Sequence, residues 1–204
     1  MLWRIVLSGL LVLVSAPLYA VTYALEPDYT QVVFRWNHLG FSSPAAQLAQ
    51  GEGVLEFDPT DPTKSSVQVA IPVSTLHTGV PALDDDLRSA DFFETARFPT
   101  ATFKSTKVQT GATQDGLKVT GDLSLHGETK SITLDVRVVK VGTNPRTGLP
   151  TVGFDATATL KRSDYGLGKY VPQVGDEIDL HITSQGVDAA AYAEYVKANA
   201  AKKK

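Results

Sequence analysis

No cysteine occurs anywhere in the 204 residues. Its absence excludes disulfides, thiolate catalysis, cysteine-attached haem and cysteine-ligated zinc, and leaves the fold to its own apolar core. Positive charge is not in excess either: 19 Lys and Arg stand against 22 Asp and Glu, a formal net charge of −3. Such a chain carries no electrostatic footprint for nucleic acid. The sequence has no G-x-S-x-G elbow, Walker loop, H-E-x-x-H pair or dinucleotide fingerprint. Its four histidines, His38, His77, His126 and His181, fall on different segments, and no two share metal-ligand spacing on one element. Asp84, Asp85 and Asp86 cluster, but acids at a helix N-terminus account for them as well as a metal does. Neither a metal nor a cofactor is expected.

Residues 1 to 20 read as a secretory signal. A short start carrying Arg4 precedes the apolar run Ile5 to Val14, and small residues with Pro17 lead to a cleavage point after Ala20 or Ala16. The run is too short to span a bilayer comfortably. Losing the segment removes Arg4 and no acid, so the exported product is more acidic still, and an exported location is expected.

The rest of the chain is long enough for one substantial core and reads as one domain, residues 21 to 187. Its organising stretch is GDLSLHGETKSITLDV, Gly121 to Val136. Leu117, Val119, Gly121, Leu123 and Leu125 fall on every second residue, and Ile132, Leu134, Val136 and Val138 do so again beyond a break at His126 to Thr129. Period two on both sides of a short glycine-containing break predicts an antiparallel hairpin with one apolar and one polar face.

A half-buried hairpin needs partners. Alternation supplies them at Gln31 to His38, at Ala45 to Asp58 with a bend expected near Gly51 and Gly53, and at Ser66 to Val73. Further strands are predicted at Thr100 to Val108, at Val152 to Leu160 and through Ile178, Leu180 and Ile182. Eight antiparallel strands with short turns make an all-β, up-and-down barrel. A transmembrane barrel would need apolar residues outward. The outer faces instead carry Asp135, Arg137, Asp155 and Asp179, at a cost of about 2–4 kcal/mol for each charge at mid-membrane.

The segment Ser74 to Thr100 interrupts the pattern. Pro81, Leu83 and Leu87 predict a short helix there. Phe92, Phe93 and Phe98 are too much apolar surface for a solvated loop, so the segment must fold back over something apolar. After Asp188, an N-cap residue, an alanine-rich stretch with Tyr192, Tyr195 and Val196 predicts a surface helix ending in Lys202, Lys203 and Lys204; residues 188 to 204 form this tail.

Three ordered motifs carry a family resemblance. Leu87-Arg88-Ser89-Ala90-Asp91-Phe92-Phe93 with Phe98-Pro99, the stretch GDLSLHGETKSITLDV, and Arg162-Ser163-Asp164-Tyr165-Gly166-Leu167 together resemble the signature of the YceI-like, polyisoprenoid-binding periplasmic proteins over about Tyr23 to Val187. The resemblance implies a lipocalin-like extended barrel, in the periplasm, whose interior holds a long isoprenoid or similar lipid. Where the family commonly has R-D-x-H, this chain has Leu83, Asp84 and Asp86. The arginine and the histidine of that pattern are therefore lost, which weakens the case for a grip on an anionic pyrophosphate and leaves a neutral or quinone-type head group as the alternative.

Three readings follow. The first is a periplasmic carrier or store for a long-chain apolar lipid of polyisoprenoid or isoprenoid-quinone type, without catalysis. Its lipid would contact Phe34, Trp36, Leu55, Phe57, Val69, Ile71, Phe103, Leu123, Leu134, Phe154 and Leu180, under a mouth or lid of Leu87, Phe92, Phe93 and Phe98. Transient membrane contact and a homodimer stay open as partners. The second is an enzyme acting on such a lipid, with His126, Asp84 or Asp164 for acid–base work. The third is a structural or partner-binding barrel with a filled interior.

Overall fold

The computed structural model describes residues 20 to 202; the expected signal segment, apart from Ala20, and the last two lysines lie outside the described residues. Ten strands and two helices follow in order: β1 (Val21–Leu25), β2 (Gln31–His38), β3 (Ala45–Leu48), β4 (Glu52–Phe57), β5 (Ser66–Pro72), α1 (Pro81–Arg88), β6 (Thr100–Thr110), β7 (Gly116–Leu125), β8 (Glu128–Thr143), β9 (Pro150–Lys161), β10 (Val174–Asp188) and α2 (Ala189–Lys202). Every pairing is antiparallel, in the order β1-β4-β5-β6-β7-β8-β9-β10, and β10 pairs with β1 to close the ring. The strands β2 and β3 extend that ring at one end, where β2 lies along β10 and β3 along β2.

The ten strands make eight staves, because two staves are broken. β1 and β2 are successive parts of one stave, separated by the turn Pro27–Tyr29. The part before this turn was not expected. Only five residues long, it offers just Tyr23 and Leu25 as buried alternating positions.

The expected strand Ala45 to Asp58 is likewise two pieces, β3 and β4. Gln50 takes a positive φ of 60° at the break. Gly51 follows because any side chain would collide there: a Cβ would sit 2.6 Å from Thr30 Cγ2 and 3.1 Å from Ile71 Cγ1.

At the organising hairpin the turn is tighter than its glycine alone required. Leu125 pairs with Glu128, so only His126 and Gly127 form the loop, at φ values of 52° and 81°. Two successive positive φ angles match the natural twist of a two-residue hairpin. On its water face the sheet is laced by cross-strand polar pairs, among them Lys118 with Asp135 at 2.6 Å and Thr120 with Thr133 at 2.8 Å. These pairs stabilise little individually but fix register and keep this face wet.

The apolar faces of all eight staves turn inward. At one end, the base, Tyr23, Leu25, Leu55, Phe57 and Val152 form a buried cluster. There Phe57 meets Phe154 edge-on at 5.7 Å between ring centroids. Beyond β10, α2 packs on β1 and β10, its start capped by Asp188 Oδ1 accepting the Ala191 N–H at 2.8 Å. At the other end, the mouth, the segment from Val73 to Pro99 folds back with α1, as its phenylalanines require. Leu76 and Leu87 are buried there with Phe34, Ile71 and Ala101.

Candidate functional site: a lidded apolar cavity

Inside the barrel lies a cavity of about 540 Å³, within the range of small-molecule sites. It is walled by the alternating apolar positions of the staves, and of the expected contact residues Phe34, Trp36, Leu55, Phe57, Val69, Ile71, Phe103, Leu123, Leu134, Phe154 and Leu180 all border it. So do Leu87, Phe92 and Phe93 of the lid. Its interior is therefore not filled, against the third sequence reading.

Along β10 the wall runs from Val174 to Ser184. Ten residue steps at about 3.3 Å give roughly 33 Å of strand, or about 25 Å of depth at the usual barrel tilt.

Phe98 is the exception. It lies outside the cavity wall, edge-on to His126 at 4.6 Å with the Arg97 guanidinium 4.9 Å from its ring centroid. Periodicity stops at Thr100, so nothing in sequence separates this phenylalanine from its two neighbours. What holds it outside is the hairpin turn, whose Gly127 leaves room: a Cβ there would stand 2.8 Å from Phe98 Cε1.

The lid is pinned on both sides. Phe93 reaches down onto Phe34, with ring centroids 5.8 Å apart, and its N–H donates to the Leu87 carbonyl at 2.9 Å. Asp84, buried in α1, accepts from the Thr78 N–H and hydroxyl, both at 2.6 Å, and lies 2.9 Å from His77 Nδ1. The Thr78 hydroxyl above all holds the Asp84 carboxyl below the ordinary carboxylate range, against the opposing effect of burial.

Across the opening, Asp91 pairs with Lys169 from the β9–β10 loop. Beside this ion pair, Phe92 packs on Tyr170 with centroids 6.3 Å apart, and the Lys169 ammonium lies over both rings.

That loop is itself held by Arg162, which is buried. Its guanidinium donates to the carbonyls of Gly175 at 2.8 Å, Val174 at 3.0 Å and Leu167, and burial pushes its pKa down. The conspicuous arginine of the third motif is thus a backbone clamp at the cavity rim. Polar groups border the cavity mainly at this mouth, as His38, Asp86, Asp91 and Lys169; deeper, Ser65 and Ser66 also border it, and the Thr30 and Ser184 hydroxyls meet at 3.0 Å.

The residues nominated for acid–base chemistry are not brought together on the wall. His126 donates from Nδ1 to the Tyr165 carbonyl at 2.9 Å behind Phe98, Asp84 serves the lid, and Asp164 is exposed; none of the three borders the cavity.

A family model, the YceI-like domain, matches residues 23–185. The chain belongs to the YceI-like family. Protein YceI of Escherichia coli is 36% identical over 162 residues, which cover 79% of this chain and 83% of the relative. Among solved structures, this YceI-like barrel superposes on Burkholderia cenocepacia BcnA with a TM-score of 0.68 at 24% identity, covering 76% of this chain and 95% of the other. It also superposes on a protein described as a polyisoprenoid binding domain from Saccharophagus degradans, with a TM-score of 0.61 at 15% identity over 82% and 99% of the two chains. At those identities the two likenesses show the YceI-like fold, a closed eight-stave antiparallel barrel.

Proposed function

We propose that this protein binds a long-chain isoprenoid-type lipid in the barrel and carries or stores it in the periplasm, without chemistry of its own. The observation that supports this most is the cavity: deep, walled by apolar side chains from all eight staves and open to polar groups mainly at one end. An apolar chain buried there gains about 0.8 kcal/mol per methylene before ordering costs. The polyisoprenoid-binding description of the Saccharophagus degradans protein agrees with this reading, as does the family match.

The mouth favours a neutral head group. Lys169 is already paired with Asp91, Arg162 is committed to three carbonyls, and Asp86 adds a negative charge. A pyrophosphate would enter a rim whose described cations are spoken for, whereas a quinone or neutral polar head needs only hydrogen-bond partners.

The test is native mass spectrometry of protein purified from its own host, followed by lipid extraction. An adduct that yields a long isoprenoid chain is expected. Protein recovered without any adduct, and unable to take up such a lipid when offered, would refute the proposal.

A further inference from the structure

The barrel rim carries an apolar projection that the cavity does not use. The β2–β3 hairpin ends in Leu39-Gly40-Phe41, and Phe41 is 91% exposed, with Leu39 exposed beside it. This tip is fixed rather than loose. Asn37 Oδ1 accepts the Gly40 N–H at 2.7 Å, the Phe41 N–H donates to the His38 carbonyl at 3.0 Å, and the His38 N–H donates to the Ser42 carbonyl at 2.8 Å. Leu39 is held at a φ of 58°, a conformation that resists a branched side chain. The fold thus accepts strain to present two apolar side chains to the outside.

The tip stands at the cavity mouth. His38, the last residue before it, borders the cavity and pairs with Val174, and the Val174 N–H donates to the Tyr170 carbonyl at 2.8 Å. Exposed Tyr170 and the Lys169 ammonium over its ring therefore sit on the loop next to Leu39 and Phe41. An aliphatic residue, a phenylalanine, a tyrosine and a lysine around one opening are the side chains that settle at a bilayer interface, where ring and stem are buried and the polar ends stay wet.

From this arrangement we infer that the rim docks on a lipid bilayer, Phe41 and Leu39 entering the interface so that the mouth opens onto the membrane. This rests on the lipid-carrier reading and deepens it by naming where the lipid is exchanged. The size of the projection argues against a second protein: one phenylalanine buries about 150–250 Å², and a stable protein interface needs roughly 800 Å² per partner. The start of β1 and α2, which packs on β1 and β10, lie at the base, away from this rim. The acids Asp85, Asp86 and Asp91 beside Arg88 and Lys169 leave the rim without positive excess, so the bilayer is neutral rather than anionic and salt has little effect.

The experiment is flotation of the purified protein with phosphatidylcholine vesicles, with cavity lipid and sedimentation measured on the same samples. Phe41→Ser should reduce the vesicle-bound fraction about tenfold or more and keep its cavity lipid. Val54→Ser, which removes an exposed valine from the outer wall of β4, should bind like the parent. Lack of parent binding while cavity lipid is present would overturn the docking surface and leave the carrier intact. Equal loss in both variants would also overturn it, as would a parent dimer that Phe41→Ser converts to monomer. Undiminished flotation of a protein that holds no cavity lipid would keep the docking surface and remove the carrier.

Discussion

Ala156 on β9 is the position where an empty barrel and a packed one respond differently. It is buried, borders the cavity, and lies between Val136 and Ile182 in register on the neighbouring staves. Replacing it by tryptophan adds a ring that a dense core cannot accept, at a cost of about 1–3 kcal/mol. For a domain of this size that lowers Tm by about 2–4 °C per kcal/mol, so by roughly 2–12 °C. In the cavity described here the indole has about 540 Å³ to enter and gains apolar contacts, so delipidated Ala156→Trp should melt within about 3 °C of the delipidated parent. Its cost falls on the ligand: an indole across the tunnel displaces chain, and the amount of co-purifying lipid should fall sharply. Ala158, two residues on, packs against the inner cluster without bordering the cavity, so Ala158→Trp should show the full destabilisation and serves as the internal standard. The assay is calorimetry of delipidated protein paired with quantitation of extracted lipid. Equal large losses of Tm for both variants, with a lipid-free parent, would refute the reasoning.

At the hairpin turn, Gly127→Val places a β-branched residue at a φ of 81° and its Cβ against Phe98. The expected loss is about 2–4 kcal/mol in denaturant unfolding, combining backbone strain with a displaced Phe98–His126 contact. Asp84 contributes to acid stability: because its folded pKa is lowered, the stability it contributes is complete above the ordinary carboxylate value of about 3.9 and lost as pH falls through the folded value. Asp84→Asn should therefore flatten the acid limb of a stability-against-pH profile and loosen α1, seen as faster amide exchange in residues 78 to 88. Asp91→Asn breaks the pair with Lys169 and should speed lipid exchange while leaving the equilibrium lipid content close to that of the parent.

Period-two alternation was enough to place eight staves and their inward faces, because each buried face leaves a mark at every second residue. Leu123, Leu134, Phe154 and Leu180 were legible for that reason, and all four border the cavity. The void itself was not legible: Phe34 in a filled core and Phe34 facing a lipid give the same alternation. Outside the strands the signal weakens further. Phe92, Phe93 and Phe98 look alike in sequence, and only the path of the loop sends two inward and one onto His126. Long-range polar partners leave no local trace at all, as with Asp91 and Lys169, or with Arg162 and the carbonyls it holds beyond the loop.

The energies of lid and wall are unequal, and this separates how fast a lipid enters from how firmly it is held. The contacts across the mouth are an exposed ion pair, worth about 0–1 kcal/mol, and the Phe92–Tyr170 pair, worth about 0.5–1.5 kcal/mol. A latch of roughly 0.5–2.5 kcal/mol leaves the tip of the lid open for about 1–30% of the time. Loop motions on this scale take nanoseconds to microseconds, and lid openings microseconds and longer, so the closed mouth is a brief delay and not a lock. The wall acts on a larger scale, since even ten buried methylenes contribute up to about 8 kcal/mol before ordering costs. On the carrier reading, retention therefore resides in Phe34, Leu55, Phe103, Leu134 and their neighbours along the staves, and exchange in the two loops at the rim. Since water outside the mouth offers the departing chain no apolar refuge, the slow step of release is exposure of the chain. On the proposed docking, a membrane brought against Phe41 and Tyr170 would remove that step without altering the wall.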